Sequence, residues 1–323
     1  MNNHLQYFLS EKTSIISYNH FNHCPTILSD GNTIITAWYA GAHECSKDQK
    51  VLLKPNDQDE SIIELEEGTG NPVLFKDADD RIFLLYSKFV HHDTIRTNVD
   101  KWKFCELRIR EYNKNETGTG TLSEYTIISS ENEHLLGRCT AVIHDKMTYL
   151  PLYDELNAKC IIFRGNGLSY EKHIEFGDKE IQPALYKNNV GLRALTRNFF
   201  SNKTYSTMHC LESGNSVTTN IPNHNSSLAC LKYGNNILCI YNNSNTHFRT
   251  NLTLGFCDGS RISPLIEIDK YGSYPSIIEH QKGIAIAYTT FHKTIASKWF
   301  EGNQLFARAA YSSNLEGRES PIL

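Results

Sequence analysis

Pro275–Phe291, PSIIEHQKGIAIAYTTF, decides the fold. Two apolar runs, SII and IAIAYTT, flank the polar turn EHQKG. β-Branched and aromatic side chains suit a pleated surface, and a short Gly-containing break between two such runs reads as a hairpin. The same pattern, beginning at a small polar residue or Pro, occurs five times upstream. The copies are Pro25–Ala40 (PTILSDGNTIITAWYA), Pro72–Phe89 (PVLFKDADDRIFLLYSKF), Thr140–Glu155 (TAVIHDKMTYLPLYDE), Pro183–Asn198 (PALYKNNVGLRALTRN) and Ser227–Asn243 (SLACLKYGNNILCIYNN). Their starts, ending with Pro275, lie 47, 68, 43, 44 and 48 residues apart. Each period leaves room for two more strands, and repeats of about 40 to 50 residues built from four strands describe propeller blades. No long helical period and no Pro/Gly/Ser linker interrupts them. The expected fold is all-β: a six-bladed β-propeller of four-stranded antiparallel blades, with residues 1–323 forming one domain. The segment before His20 is expected to complete the ring beside blade six. Lys101–Thr121, inside the longest gap, reads as outer strands of blade two plus an excursion.

Composition agrees with a folded β protein. Of 323 residues, 40% are hydrophobic and 21% charged, with 17 Tyr and 15 Phe, so a sizeable core is affordable and disorder is not expected. Net charge is −4, the pI is near 6.4 and no Lys/Arg block occurs, which argues against a nucleic-acid groove or a polybasic membrane surface. No run of about 18 apolar residues exists to span a bilayer, and MNNHLQYFLSEK lacks the layout of a signal peptide. Nine scattered cysteines without a CxxC pair signal neither a disulfide framework nor a zinc ribbon. Buried thiols in a cytoplasmic protein are the expectation.

In a propeller the first strand of each blade lines the axis, and ligands bind where those strands begin at one mouth of the channel. The residues just ahead of the six copies should converge there: His23 with Cys24, Asn71, Arg138 with Cys139, Gln182, Asn223 through Asn225, and Tyr274. Four of these positions precede proline: Cys24-Pro25, Asn71-Pro72, Gln182-Pro183 and Tyr274-Pro275. Proline fixes φ and removes a donor at a strand start, which accounts for the prolines but not for their polar neighbours.

With these residues in hand, the chain resembles the sialidase-like six-bladed propellers, in their divergent branch with degenerate Asp boxes, over roughly residues 21–298. The marks are His23-Cys-Pro-Thr, AWYAGAHECSKD (Ala37 to Asp48), Gly70-Asn-Pro-Val-Leu, Ile181-Gln-Pro-Ala-Leu, Asn223-His-Asn-Ser-Ser, Arg249-Thr-Asn-Leu and Ser273-Tyr-Pro-Ser. Sialidases clamp a substrate carboxylate with three arginines, use a Tyr nucleophile prompted by a Glu, and use an Asp as acid/base. The resemblance places Asp48 at the acid/base, Arg249 at the last clamp arginine and Tyr274 at the nucleophile. It also shows departures: His23 replaces the first arginine, Gln182 replaces the Glu, and Arg197 stands near the second arginine but earlier in its blade. His292 stands where the branch often carries an arginine.

Two chemistries and a binding role follow. In the first, Arg249 holds a carboxylated sugar and Asp48 serves as acid/base in hydrolysis. In the second, Arg249 neutralises a uronate and Tyr274 or a histidine (His23, His292) removes the proton beside the carboxylate, giving β-elimination. The third is a non-catalytic glycan binder. Arg138, Arg197, Gln182, Asn71, Glu44 and Asn225 complete the expected binding set, with an acidic saccharide as partner and neither cofactor nor metal ligand called for. Weaker signals are His20 with His23 and His91-His92-Asp93 as metal ligands, Cys24 and Cys139 as nucleophiles, and Trp102 as a sugar platform, with Trp38 assigned to the core.

Overall fold

Each of the six copies folds as the hairpin its pattern predicts, and each hairpin opens a blade. In the computed structural model, which describes residues 14–16, 21–55, 61–90, 98–115, 120–199, 204–223, 225–246, 248–281, 283–291 and 294–301, six antiparallel sheets stand around one axis. The innermost strands of blades one, two, four, five and six are Phe21–Asp30, Thr69–Lys76, Glu180–Asn188, Ala229–Tyr233 and Gly272–His280. In blade three the inner edge is broken into Leu135–Gly137 and Val142–His144, both paired with Met147–Asp154. Blade two carries a fifth strand, Gly120–Leu122, beside Cys105–Lys114. The predicted outer strand in Lys101–Thr121 is therefore real, and a short helix, Asn98–Trp102, precedes it. At the far end of the sequence, Ser14–Ile16 pairs antiparallel with Thr294–Glu301, so the first strand closes the last blade. Closure of this kind removes the exposed sheet edges of an open array.

Neighbouring blades are tied by specific hydrogen bonds as well as by packing. Ile27 N donates to Ser276 Oγ (3.2 Å) and Cys24 N to Thr289 Oγ1 (3.0 Å), joining blades six and one. Leu74 N donates to Thr26 Oγ1 and Thr140 Oγ1 to the Leu74 carbonyl, continuing through blades one, two and three. Between blades the core is aliphatic and aromatic: Ile35, Leu53, Leu74, Leu84 and Tyr86 form part of one cluster, and Leu238, Leu254, Ile277 and Ile286 part of another.

Asp77 fastens blade two to blade three on the side away from the ligand mouth. It is fully buried, accepts from the Asp79, Arg81 and Gly167 backbone N–H groups, and pairs with the Arg81 guanidinium at 2.7 Å. Asp77→Ala would leave those donors unmet inside the protein. A loss of about 3 kcal/mol is expected, since a buried donor stripped of a charged partner costs its desolvation. Urea unfolding of the variant against the parent measures it, and an unchanged midpoint would refute this role.

Candidate active site at the propeller mouth

The local backbone explains how small sequence signals become a site. In four blades the inner strand carries a one-residue bulge at the same place: between His23 and Thr26, Gly70 and Val73, Ile181 and Ala184, and Ser273 and Ser276. Each bulge holds the residue before proline in the left-handed region, at φ 49° for Cys24, 46° for Asn71, 51° for Gln182 and 51° for Tyr274. Such a conformation costs a residue with a Cβ about 1–3 kcal/mol and persists only where the surroundings impose it. Proline suits the next position because its missing N–H removes one donor from the disrupted ladder. The result re-aims four side chains at the start of the axial strands. Asn225 in blade five is also left-handed, at φ 87°.

Every inner strand runs away from this mouth and its partner returns, so the loops between second and third strands open on the same end. That brings in the loop 42–49 of blade one, the turn 155–158 of blade three and residues 243–246 and 248–251 of blade five. His292 lies outside the described residues.

Arg249 and Tyr274 form the centre. Arg249 Nη1 donates to Tyr274 Oη at 2.5 Å, and Arg249 Nε donates to the Asn225 carbonyl at 3.2 Å. Arg197 Nε donates to Asn225 Oδ1 at 2.7 Å. Asn225 thus holds two arginines at once, with its own N–H given to Asn223 Oδ1. This is how Arg197, expected earlier in its blade, reaches the mouth. Burial pulls the Arg197 guanidinium below its usual range, with Arg249 nearby adding to the effect. Burial acts the same way on Arg249, but the Tyr274 hydroxyl outweighs it and the net shift is upward.

Arg138 lies deeper and plugs the channel. It is 3% exposed, and it donates to the Pro25 and Pro275 carbonyls at 3.3 and 3.2 Å, with the Tyr274 ring 5.5 Å from its guanidinium. Beneath it a cavity of about 20 Å³, room for one water, is lined by Cys139, Thr140, Leu228, Ser276 and others. Among the described residues none of Arg138, Arg197 and Arg249 makes an ion pair.

The other expected residues divide by position. His23 is buried between Phe21, Tyr39 and Tyr274, with ring centroids 4.5 Å from Tyr274. Gln182 donates from Nε2 to Tyr153 Oη at 3.2 Å, and its Oε1 is buried without a partner. Asn71 is buried beside the axis in blade two. Glu44 is half-buried and accepts from Tyr39 Oη at 3.4 Å. Asp48 stands exposed on the loop, where the Ser46 hydroxyl and the Ala42 N–H hold its carboxyl below the usual range. A carboxyl kept charged in this way is a poor proton donor at neutral pH.

Two minor expectations need adjustment. Trp102 is no exposed platform: it is buried against Tyr39 and Phe89, 5.9 and 4.8 Å between centroids. It presses so close to Gly70 that a Cβ there would meet its ring at 2.5 Å. Its flat apolar surface folds the excursion inward instead of offering it to solvent. Cys24 and Cys139 do face the axis, but burial raises both thiols to about 11, so neither is a ready thiolate. Among the described residues no group of three His, Cys, Asp or Glu is placed to hold a metal, and His20, His91, His92 and Asp93 lie outside them.

One acidic residue of the mouth escaped the sequence reading. Glu155 follows the last residue of Met147–Asp154 and is half-buried. Burial raises its carboxyl above the ordinary range, Glu44 adding to the rise and Arg197, Lys103 and Arg249 opposing it. In the sequence it is merely the final letter of the third hairpin.

No curated protein matches the sequence. Solved structures do. Trypanosoma rangeli sialidase in complex with the inhibitor DANA superposes with a TM-score of 0.69 at 13% identity, over 95% of this chain and 61% of that one. The chain therefore spans somewhat less than two thirds of that enzyme's length. β-1,2-Mannobiose phosphorylase from Listeria innocua is similar at a TM-score of 0.50 and 11% identity, over 92% of both chains. Likeness at this identity concerns the fold, and the fold is the divergent sialidase-like propeller that the marks at His23, Asp48, Arg249 and Tyr274 suggest. Residues 32–286, most of the chain, match the BNR repeat-like domain, and the chain belongs to that family.

Proposed function

We propose that the protein is a carbohydrate-active enzyme that binds a carboxylated sugar in the propeller mouth and hydrolyses its glycosidic bond. The observation that carries this reading is the convergence of Arg197, Arg249 and Arg138 with no carboxylate partner among the described residues. A guanidinium withdrawn from water is costly unless something compensates it, and its planar fork matches a carboxylate. A protein of net charge −4 has acidic side chains enough to neutralise this trio, yet the ones nearby stay out of contact. A sugar carboxylate supplies the missing charge. The similar Trypanosoma rangeli sialidase, which has been described in complex with sialic acid, a carboxylated sugar, supports the same class of ligand. Nine free thiols accord with the cytoplasm as its place of action.

The elimination reading has its own support. Gln182 cannot accept a proton as a Glu would, and the His23 ring lies against the Tyr274 ring at 4.5 Å, where the pair could exchange a proton with a uronate.

A panel of glycosides bearing a free carboxylate, each matched with its methyl ester, tests the shared step. The free acids should bind and turn over, and the esters should lose about tenfold or more in affinity, because charge-assisted bonds are the strong ones. Equal binding of acid and ester would defeat the carboxylate reading.

A further inference from the structure

We infer that Glu155 is the proton-carrying catalytic residue of this mouth. The inference rests on the hydrolase reading and adds to it the acid that Gln182 and Asp48 do not supply.

Geometry isolates the residue. Asp154 accepts from the Leu156 and Asn157 N–H groups at 2.9 and 2.8 Å, which folds the turn tightly and fixes the backbone on both sides of Glu155. The turn is tied to blade four by Glu180 N donating to the Ala158 carbonyl at 3.1 Å. The hydroxyl oxygen of Tyr153, two residues earlier, accepts from the Gln182 amide Nε2 at the axis. Glu155 itself makes no hydrogen bond or ion pair among the described residues. The charged and titratable groups around it come from every neighbouring element: Arg197 of blade four, Arg249 of blade five, Lys103 and Cys105 of blade two, Glu44 of blade one, and Tyr153 of its own strand. Most half-buried carboxylates near two arginines would close a salt bridge. This one makes no such contact among the described residues, which leaves the arginines available for a substrate carboxylate.

The step balances without another reagent. As the glycosidic C–O bond breaks, its electron pair passes to the departing oxygen, which takes the proton from the Glu155 carboxyl. A water then adds its oxygen to the anomeric carbon and returns a proton to the Glu155 carboxylate. The sum is hydrolysis, with Glu155 restored. Desolvation shifts the Glu155 carboxyl toward the protonated form that the first half requires.

Glu155→Gln separates this role from a structural one. The amide keeps the shape but carries no transferable proton, so kcat should fall about 10²- to 10⁴-fold with KM little changed. Glycosides whose leaving group needs no protonation, such as nitrophenyl glycosides, should recover much of the lost rate. The fall in activity at high pH, which reports loss of the Glu155 proton, should disappear. Independently of turnover, ¹³C NMR of labelled glutamate carboxyls, assigned by the same variant, should show Glu155 titrating above an ordinary Glu. A Glu155 that titrates in the ordinary range, or a Glu155→Gln protein within tenfold of the parent on poor leaving groups, overturns the inference while leaving the carboxylate-binding reading intact. A parent protein that binds no carboxylated sugar while Glu155 titrates high overturns the reading instead.

Discussion

Arg249→Ala should cost about 3 kcal/mol of transition-state binding on a carboxylated glycoside, a loss of roughly 150-fold in kcat/KM. Removing one partner of a shielded, hydrogen-bonded charge pair commonly costs about 2–5 kcal/mol. The guanidinium has three tasks in one place: it donates to Tyr274 Oη, it donates to the Asn225 carbonyl, and it lies with its carbon 4.7 Å from the Tyr274 ring centre. Truncation therefore releases the tyrosine as well as the anion. Arg249→Lys should recover little, because an ammonium carries the charge but cannot span the Asn225 carbonyl and Tyr274 Oη with one rigid fork. Calorimetry with a free-acid sugar and its ester separates the two losses. The alanine variant should bind acid and ester more nearly alike, and full affinity for the acid would remove Arg249 from the site.

How far the sequence reaches is best judged from such pairs. All six hairpins were legible because a strand pair needs only local information: two β-favouring runs and a turn, repeated at a near-constant period. The residue–proline steps were legible too, since Cys24-Pro25, Asn71-Pro72, Gln182-Pro183 and Tyr274-Pro275 sit at equal places in their copies. What could not be read was the bulge that turns those residues left-handed, because its geometry depends on the partner strand opposite. Arg197 and Arg249 meet only through Asn225, which lies 28 residues after the first and 24 before the second, in the neighbourhood of two different blades. Glu155 is a harder case. Its character comes first from burial, with Glu44 adding to the rise and Arg197, Lys103 and Arg249 opposing it; these four residues sit in four other blades, and no local pattern encodes such a neighbourhood. Trp102 failed for the converse reason. An aromatic residue in a long connection looks exposed until the blade that buries it, through Gly70, is in place.

The two chemistries part at Tyr274. Tyr274→Phe keeps the ring against His23 and removes the oxygen that Arg249 holds, so Arg249 loses a partner inside the mouth. If Tyr274 attacks the anomeric carbon or carries the proton, kcat should fall by about 10² or more in either reading. The product of the parent protein then decides between them. Hydrolysis adds water and leaves no unsaturation, whereas elimination creates a double bond conjugated with the carboxylate, which absorbs in the ultraviolet. Gln182→Glu supplies the second arm. Gln182 Oε1 is already buried without a partner and its Nε2 meets Tyr153 Oη, so a carboxylate there would have the Tyr153 hydroxyl as its neighbouring donor. In the hydrolase reading it provides a base near Tyr274 and kcat should rise. In the elimination reading it repels the uronate carboxylate, and KM should rise with no gain in kcat. A saturated product together with a faster Gln182→Glu variant would establish hydrolysis through Tyr274. An unsaturated product with a slower variant would give the site to elimination, and an Arg249-dependent binding of acidic sugar without either product would leave the mouth as a glycan receptor.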